Sequence, residues 1–261
     1  MKRRNSARLT GALAGAALLA APAFAQNDKP LKIGVLTDLT SVYSDIGGKG
    51  NIEAAKMAIE DFGGQMFGKP IEIVSSDVQM KADVAASIAR KWWESENVDA
   101  IIDMPTSATA LAVMELSKQF EKPLIITDAA SSDITGKSCS PYTAHWTYDT
   151  YSNAQTVGQA VVKQGGDSWY FITVDYAFGH SIEKDVSGVV TGAGGKVLGA
   201  SRHPLNTADF SSYLLQAQQS KAKIIGMANA GGDLINLVKQ AGEFGIVGGG
   251  QNLAGIVMFI S

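Results

Sequence analysis

Short runs of valine, isoleucine and leucine alternate with amphipathic stretches from Leu31 onward, and this alternation leaves few folds open. The apolar runs are Leu31 to Leu36, Ile71 to Val74, Ala100 to Ile102 and Leu124 to Ile126, and the spacing predicts helices over 49–62, 81–95 and 107–120. Strands that are almost wholly apolar need cover on both faces, which a parallel sheet flanked by crossover helices supplies. The first helix carries the period, with Ile52, Ala55, Met57, Ala58 and Phe62 on one side and Glu53, Lys56, Glu60 and Asp61 elsewhere. Gly63-Gly64 is its stop signal.

From Thr135 to Asp149 the rhythm breaks. Gly136, Cys139 and Pro141 are followed by Tyr142, His145, Trp146 and Tyr148 without helical period, so the segment reads as a crossover. Alternation then resumes, with helices expected over 151–164, 178–190, 209–219 and 232–243. The strands expected between them are Trp169 to Val174, Lys196 to Ser201, Ala222 to Met227 and Ala254 to Ile260. The expectation is an α/β protein of two doubly wound lobes, over 26–148 and 149–261. Because the chain stops at Ser261 straight after a strand, the second lobe is expected to be incomplete, its C-terminal part missing.

The first 25 residues read as a signal peptide. Lys2, Arg3 and Arg4 precede an apolar stretch from Leu9 to Ala21, and Ala23-Phe24-Ala25 offers small residues for cleavage before Gln26. No later run reaches the roughly 18 apolar residues of a membrane span, so a soluble, unanchored periplasmic protein is expected. Removing 1–25 takes away four of the 22 basic residues and none of the 25 acidic ones, leaving a net charge of −7. That balance, with no basic stripe, gives nucleic acid nothing to hold. Cys139 is the only cysteine, so no internal disulfide is possible and stability rests on a packed core.

Two hydroxyl-rich loops follow first-lobe strands: Thr106-Ser107-Ala108-Thr109 and Ala129-Ala130-Ser131-Ser132. In an open parallel sheet, ligands sit beyond the carboxyl ends of the strands. Hydroxyls and free helix N–H groups there suit a carboxylate, although each loop alone is equally well explained as helix capping. In the long loop after the first strand, Gly48 and Gly50 lack a third glycine, since Glu53 stands there, and they lie too far from the strand for a dinucleotide turn. Tyr43 in that loop either walls a pocket or packs on the neighbouring helix. Asp175-Tyr176-Ala177-Phe178-Gly179 and Asn229-Ala230-Gly231-Gly232-Asp233 occupy the matching edge of the second lobe. There Asp175 either caps its helix or meets a ligand ammonium, and Asn229 either contacts ligand or serves the turn. His145, His180 and His203 have no metal-ligand spacing, and no nucleophile elbow occurs. No cofactor or metal is expected, and no enzyme.

The opening Gly34-Val35-Leu36-Thr37-Asp38-Leu39-Thr40-Ser41, the helix from Ala54 to Asp61 and Asp175-Tyr176-Ala177-Phe178-Gly179, in that order after an export signal, carry a family likeness. The chain resembles the periplasmic substrate-binding proteins of ABC importers, in the branched-chain amino acid (leucine-binding protein) family. The resemblance implies a type I periplasmic binding protein, two lobes joined by a hinge, a monomer that closes on a small ligand and delivers it to membrane permease subunits. It places the ligand carboxylate on Thr106 or Ser107 with Ala130 and Ser131, and an aromatic wall on Phe178 and Tyr176. A contact falls near Ile46, with Tyr43 as a substitute. The acid that meets an amino-acid ammonium in this family falls at or just beyond Ser261, and the cysteine pair of some relatives is absent, with Pro105 near one site. A ligand sensor of the same fold and a secreted α/β enzyme are the rival expectations.

Overall fold

The computed structural model describes residues 29–259, so the signal peptide read over 1–25 lies outside the described residues, as do Ile260 and Ser261. The first lobe holds β1 (Leu31–Thr37), β2 (Gln65–Met66), β3 (Lys69–Asp77), β4 (Ala100–Asp103), β5 (Leu124–Ile126) and β6 (Thr143–His145). They form one sheet in the order β2-β3-β1-β4-β5-β6, parallel except for the β2–β3 hairpin. Helices α1 (Gly48–Asp61), α2 (Ala82–Glu94) and α3 (Ser107–Phe120) make the crossovers. The strand order reverses between β1 and β4, and an open α/β sheet offers its ligand crevice at such a reversal.

The second lobe repeats the plan with β7 (Ser168–Val174), β8 (Lys196–His203), β9 (Ile224–Ala228) and β10 (Asn252–Gly255), all parallel in the order β10-β9-β7-β8. Its reversal lies between β7 and β9. Around it run α4 (Thr150–Asn153), a π-helical turn (Ala154–Gly158), α5 (Gln159–Lys163), α6 (Ala177–Gly192), α7 (Ser211–Ser220) and α8 (Gly231–Glu243).

Strand alternation explains the two-sided core of this lobe. Trp169 and Phe171 turn to the α6 side, where their rings stack at 5.8 Å, while Tyr170 and Ile172 turn to the side of α7 and α8 and pack with Phe210, Leu214 and Leu237. The first sheet is covered less evenly. Leu36, Ile101, Leu124 and Ile126 pack on the face held by α2 and α3, under Trp92, Trp93 and Met114. Gly34 is required there, because a β-carbon at that position would enter the Trp92 ring.

α1 lies against β1 and β3, and its expected stripe is corrected. Ile52, Ala55 and Ile59 are its half-buried apolar residues, whereas Met57 (58 % exposed), Ala58 and Phe62 (60 %) face outward. Three further differences are local. The crossover contains β6, which adds to β5 in parallel. The helix expected over 151–164 is interrupted by the π turn. The strand expected over 254–260 is β10, and the chain leaves the sheet after Gly255. Among the described residues no helix is long and apolar enough to cross a membrane.

Candidate functional site

The site begins where β4 ends. Asp103 and Met104 leave the strand with φ of 91° and 79°, both side chains buried, a conformation that non-glycine residues adopt at a cost and that tends to mark functional segments. This sharp exit aims Pro105-Thr106-Ser107 into the start of α3. Thr106 caps the helix: its Oγ1 accepts the Thr109 N–H at 3.1 Å, and Thr109 Oγ1 donates to the Thr106 carbonyl at 2.8 Å. Helix geometry leaves the N–H groups of Ser107 and Ala108 without intrahelical acceptors, at the positive end of the α3 dipole. Ser107 Oγ accepts the Ser131 N–H at 3.0 Å, which ties the two hydroxyl-rich loops together. His145 Nε2 donates to the Ala129 carbonyl at 2.7 Å and holds the second loop from β6.

The long β1–α1 loop is organised by buried Asp38. Its carboxylate accepts the N–H groups of Ser41 and Tyr43 at 3.1 and 3.0 Å and the Ser41 hydroxyl at 2.6 Å. Tyr43 is thereby turned toward the second lobe, where its hydroxyl lies 2.9 Å from that of Tyr176. Tyr176 in turn stacks on Phe178, with centroids 6.0 Å apart. Burial pushes both hydroxyls, Tyr43 and Tyr176, up from their ordinary range, so both stay neutral and can share a hydrogen bond. Two more contacts cross between the lobes. Ser131 Oγ meets Ser181 Oγ, and Asp185 accepts the Ser132 hydroxyl at 2.8 Å; within the second lobe the same carboxylate accepts the Thr150 hydroxyl at 2.7 Å.

Between the lobes lies a narrow cavity that is partly open to solvent. Tyr43, Ile46, Thr106, Ser107 and Ala130 line it from the first lobe, and Tyr176 and Phe178 from the second. Seven of the nine expected residues are therefore gathered at one place. Ser131 is not: it is fully buried, its hydroxyl engaged with Ser181 and with the Asp133 N–H, so its side chain is unavailable as a carboxylate donor. Asn229 is not either. It lies buried behind the wall with its Nδ2 3.2 Å from His203 Nε2, and Ala230, the next residue along, takes the lining position. Asp175 neither caps α6 nor reaches the cavity, since it pairs with His180 at 2.8 Å on the surface.

Four lining residues carry no ligand-site expectation from the sequence: Pro105, Asp128, Tyr148 and Phe259. Asp128 accepts from Asn51 Nδ2 at 2.8 Å, close against Gly47, where a β-carbon would lie 2.5 Å from its Oδ2. Behind it stands Asp103, 1 % exposed, with the buried Thr37 hydroxyl, Asn51 and Asp128 as its polar neighbours. Burial, then the charge of Asp128, pushes the Asp103 carboxyl up to about 8. Burial also raises Asp128. The two acids thus hold a proton between them at neutral pH. The signal in the sequence was an aspartate closing the apolar run of β4, and a second one opening the Ala129-Ala130 loop.

The cross-lobe bond of the tyrosines gives a direct expectation. Tyr176→Phe removes one hydroxyl and should cost the contact between the lobes about 1 kcal/mol. Small-angle scattering should then report a larger radius for the variant, and an unchanged scattering curve and melting temperature would refute the bond's role.

Two α/β lobes, each presenting its strand-order reversal to a shared cavity, have the architecture of a two-lobed binding protein. The family model described as periplasmic binding protein matches residues 30–261, and the chain belongs to that family. Among curated relatives, a Leu/Ile/Val-binding protein homolog 6 of Brucella abortus (strain 2308) is 28 % identical over 214 residues, 81 % of this chain and 53 % of the relative. A crystal structure of a periplasmic binding protein from Burkholderia mallei is 50 % identical with a TM-score of 0.85, over 88 % of this chain and 61 % of that one. A branched chain amino acid ABC transporter periplasmic ligand-binding protein from Burkholderia xenovorans LB400 is 42 % identical with a TM-score of 0.71, at the same coverage. A solute binding protein of an ABC transporter from Rhodopseudomonas palustris BisB5, in complex with 3,4-dihydroxy benzoic acid, is 25 % identical with a TM-score of 0.77, over 86 % and 61 %. The chain spans about half the length of the curated relatives it matches and about three fifths of these structures.

Proposed function

We propose that the protein is the solute-capturing component of an ABC importer, acting in the periplasm without catalysis. It takes a small carboxylate-bearing ligand and presents it, in the closed form, to permease subunits. The observation that carries this reading is the cavity itself, built at the reversal points of both lobes and bridged by the Tyr43–Tyr176 hydroxyl pair. A carboxylate at the α3 N-terminus meets the N–H groups of Ser107 and Ala108, and Tyr43, Tyr176, Phe178 and Tyr148 enclose an apolar or aromatic body. Closure adds second-lobe contacts, so a ligand shifts the open–closed equilibrium by its differential affinity for the two forms.

Thermal-shift titration with amino acids, aromatic acids, amides and short diacids tests the reading. A true ligand at a hundred times its Kd stabilises by about 2.7 kcal/mol, a shift of several degrees. Turnover of a chromogenic ester or glycoside with no stabilising solute would replace this reading with an enzymatic one.

A further inference from the structure

We propose that a lysine-lined pocket at the amino ends of the first-lobe strands is a second binding site, which takes a doubly charged phosphate group, free or on an organic phosphomonoester. It goes beyond the solute-binding reading, because the cavity between the lobes lies at the carboxyl ends of the same strands.

Lys29 stands just before β1, Lys69 opens β3 and Lys122 stands just before β5. The parallel pairing of these strands brings the three residues to one pocket. Among the described residues none of the three ammoniums makes a hydrogen bond or an ion pair. Lys69 and Lys122 are nevertheless half-buried. Lys122 follows the C-terminal end of α3, where the helix dipole favours a cation. Lys29 and Lys69 belong to strand ends, where no comparable dipole accounts for them. The acid of the lining, Asp99, accepts the Lys32 N–H at 2.9 Å and pairs with none of the three lysines. Three ammoniums beside one carboxylate leave positive charge in excess within an acidic chain, and a concave wall focuses that field. A phosphomonoester, with roughly two negative charges at neutral pH, answers the excess, whereas a carboxylate neutralises only part of it.

The second observation is Trp93 at the end of α2. Its side chain lines the same pocket, is 7 % exposed and packs on Phe120 with ring centroids 5.9 Å apart. An indole N–H can only donate, and that of Trp93 is buried without an acceptor. Buried donors are nearly always paired, and Trp169 in the second lobe follows the rule by donating to the Gly166 carbonyl at 2.8 Å. A phosphate oxygen in the pocket supplies the missing acceptor while the lysines supply charge-assisted hydrogen bonds. Phe67 stands at the edge of the pocket, 89 % exposed and with φ of 54°, a backbone conformation that bulky residues seldom adopt. Its ring offers an apolar face to the body of a phosphomonoester.

The test is an NMR titration of the isotope-labelled full mature chain with inorganic phosphate and with phenyl phosphate, against acetate, at constant ionic strength. The Trp93 indole N–H resonance should move saturably with either phosphate while that of Trp169 stays in place. Phosphate should bind about tenfold or more tighter than acetate. Lys69→Gln and Lys122→Gln should each weaken phosphate by about fivefold or more, and the double variant should abolish its binding. Lys163→Gln, a change of the same charge on α5, should leave it unaltered. Phe67→Ser should weaken phenyl phosphate and spare inorganic phosphate. A Trp93 resonance that neither phosphate moves, acetate binding as tightly as phosphate, or an undiminished response in the folded double lysine variant overturns the proposal. Each of those results leaves the solute-binding reading standing, since its ligands are read at the other end of the strands.

Discussion

Gly179→Ala should cost the protein about 3 kcal/mol or more and lower its melting temperature by roughly 6–12 °C. Gly179 lies in the first turn of α6, and a β-carbon there falls onto the Val174 carbonyl oxygen at the end of β7. That oxygen is fixed by the Tyr176 N–H at 2.9 Å, so it cannot yield without undoing the turn that places Tyr176. The helix must lift instead, carrying Tyr176 and Phe178 away from the cavity, and ligand binding should fall with stability. Gly188→Ala on the same helix is the control. Its position is exposed with nothing within 4 Å, so alanine there should stabilise by about 0.5–1 kcal/mol. Urea melts of the two variants giving equal midpoints would show that the close approach at Gly179 is unimportant.

Asp103→Asn should change how stability depends on pH. The folded-state value of Asp103, about 8, lies above its ordinary carboxyl range. A group raised on folding contributes stability that is complete below the unfolded value and lost as pH climbs through the folded one. The wild type should therefore weaken between about pH 4 and pH 8, by up to about 1.4 kcal/mol for each unit. Asparagine keeps the shape and offers Asp128 an N–H, so the variant's curve should be flatter and should cross above the wild type on the alkaline side. Denaturation midpoints at intervals across that range decide it, and parallel curves would remove Asp103 as the titrating group.

Much of the architecture was legible because each strand advertises itself by composition. Leu31 to Leu36 and Trp169 to Val174 are apolar runs that only a sheet covered by helices can hide, and both fall within strands. What escaped lacks such a signal. β6 is three residues of mixed polarity whose strand character comes from pairing with β5. The exposure of Met57 and Phe62 follows from how α1 sits on β1 and β3, which no periodicity encodes.

The site was legible in the same uneven way. Thr106, Ser107 and Ala130 follow strand ends, and Tyr176 and Phe178 stand at a helix entry, places where an open sheet gathers side chains. Ser131 and Asn229 stand in the same kinds of place, yet the loop turns one toward Ser181 and the other toward His203. Asp103 and Asp128 acquire their meaning only from meeting each other across β4 and β5.

The reversal of strand order in each lobe has a consequence for how such proteins diversify. Every residue that lines the cavity stands outside the strands, yet Tyr43, Ala130, Phe178 and Ala230 pack in one cluster with Trp169 and Phe171 of β7. Lining and scaffold are therefore coupled at these four positions. Exchanging 43–46, 128–130 and 176–178 together, with the strands untouched, would change the cavity only together with the packing of the second-lobe core.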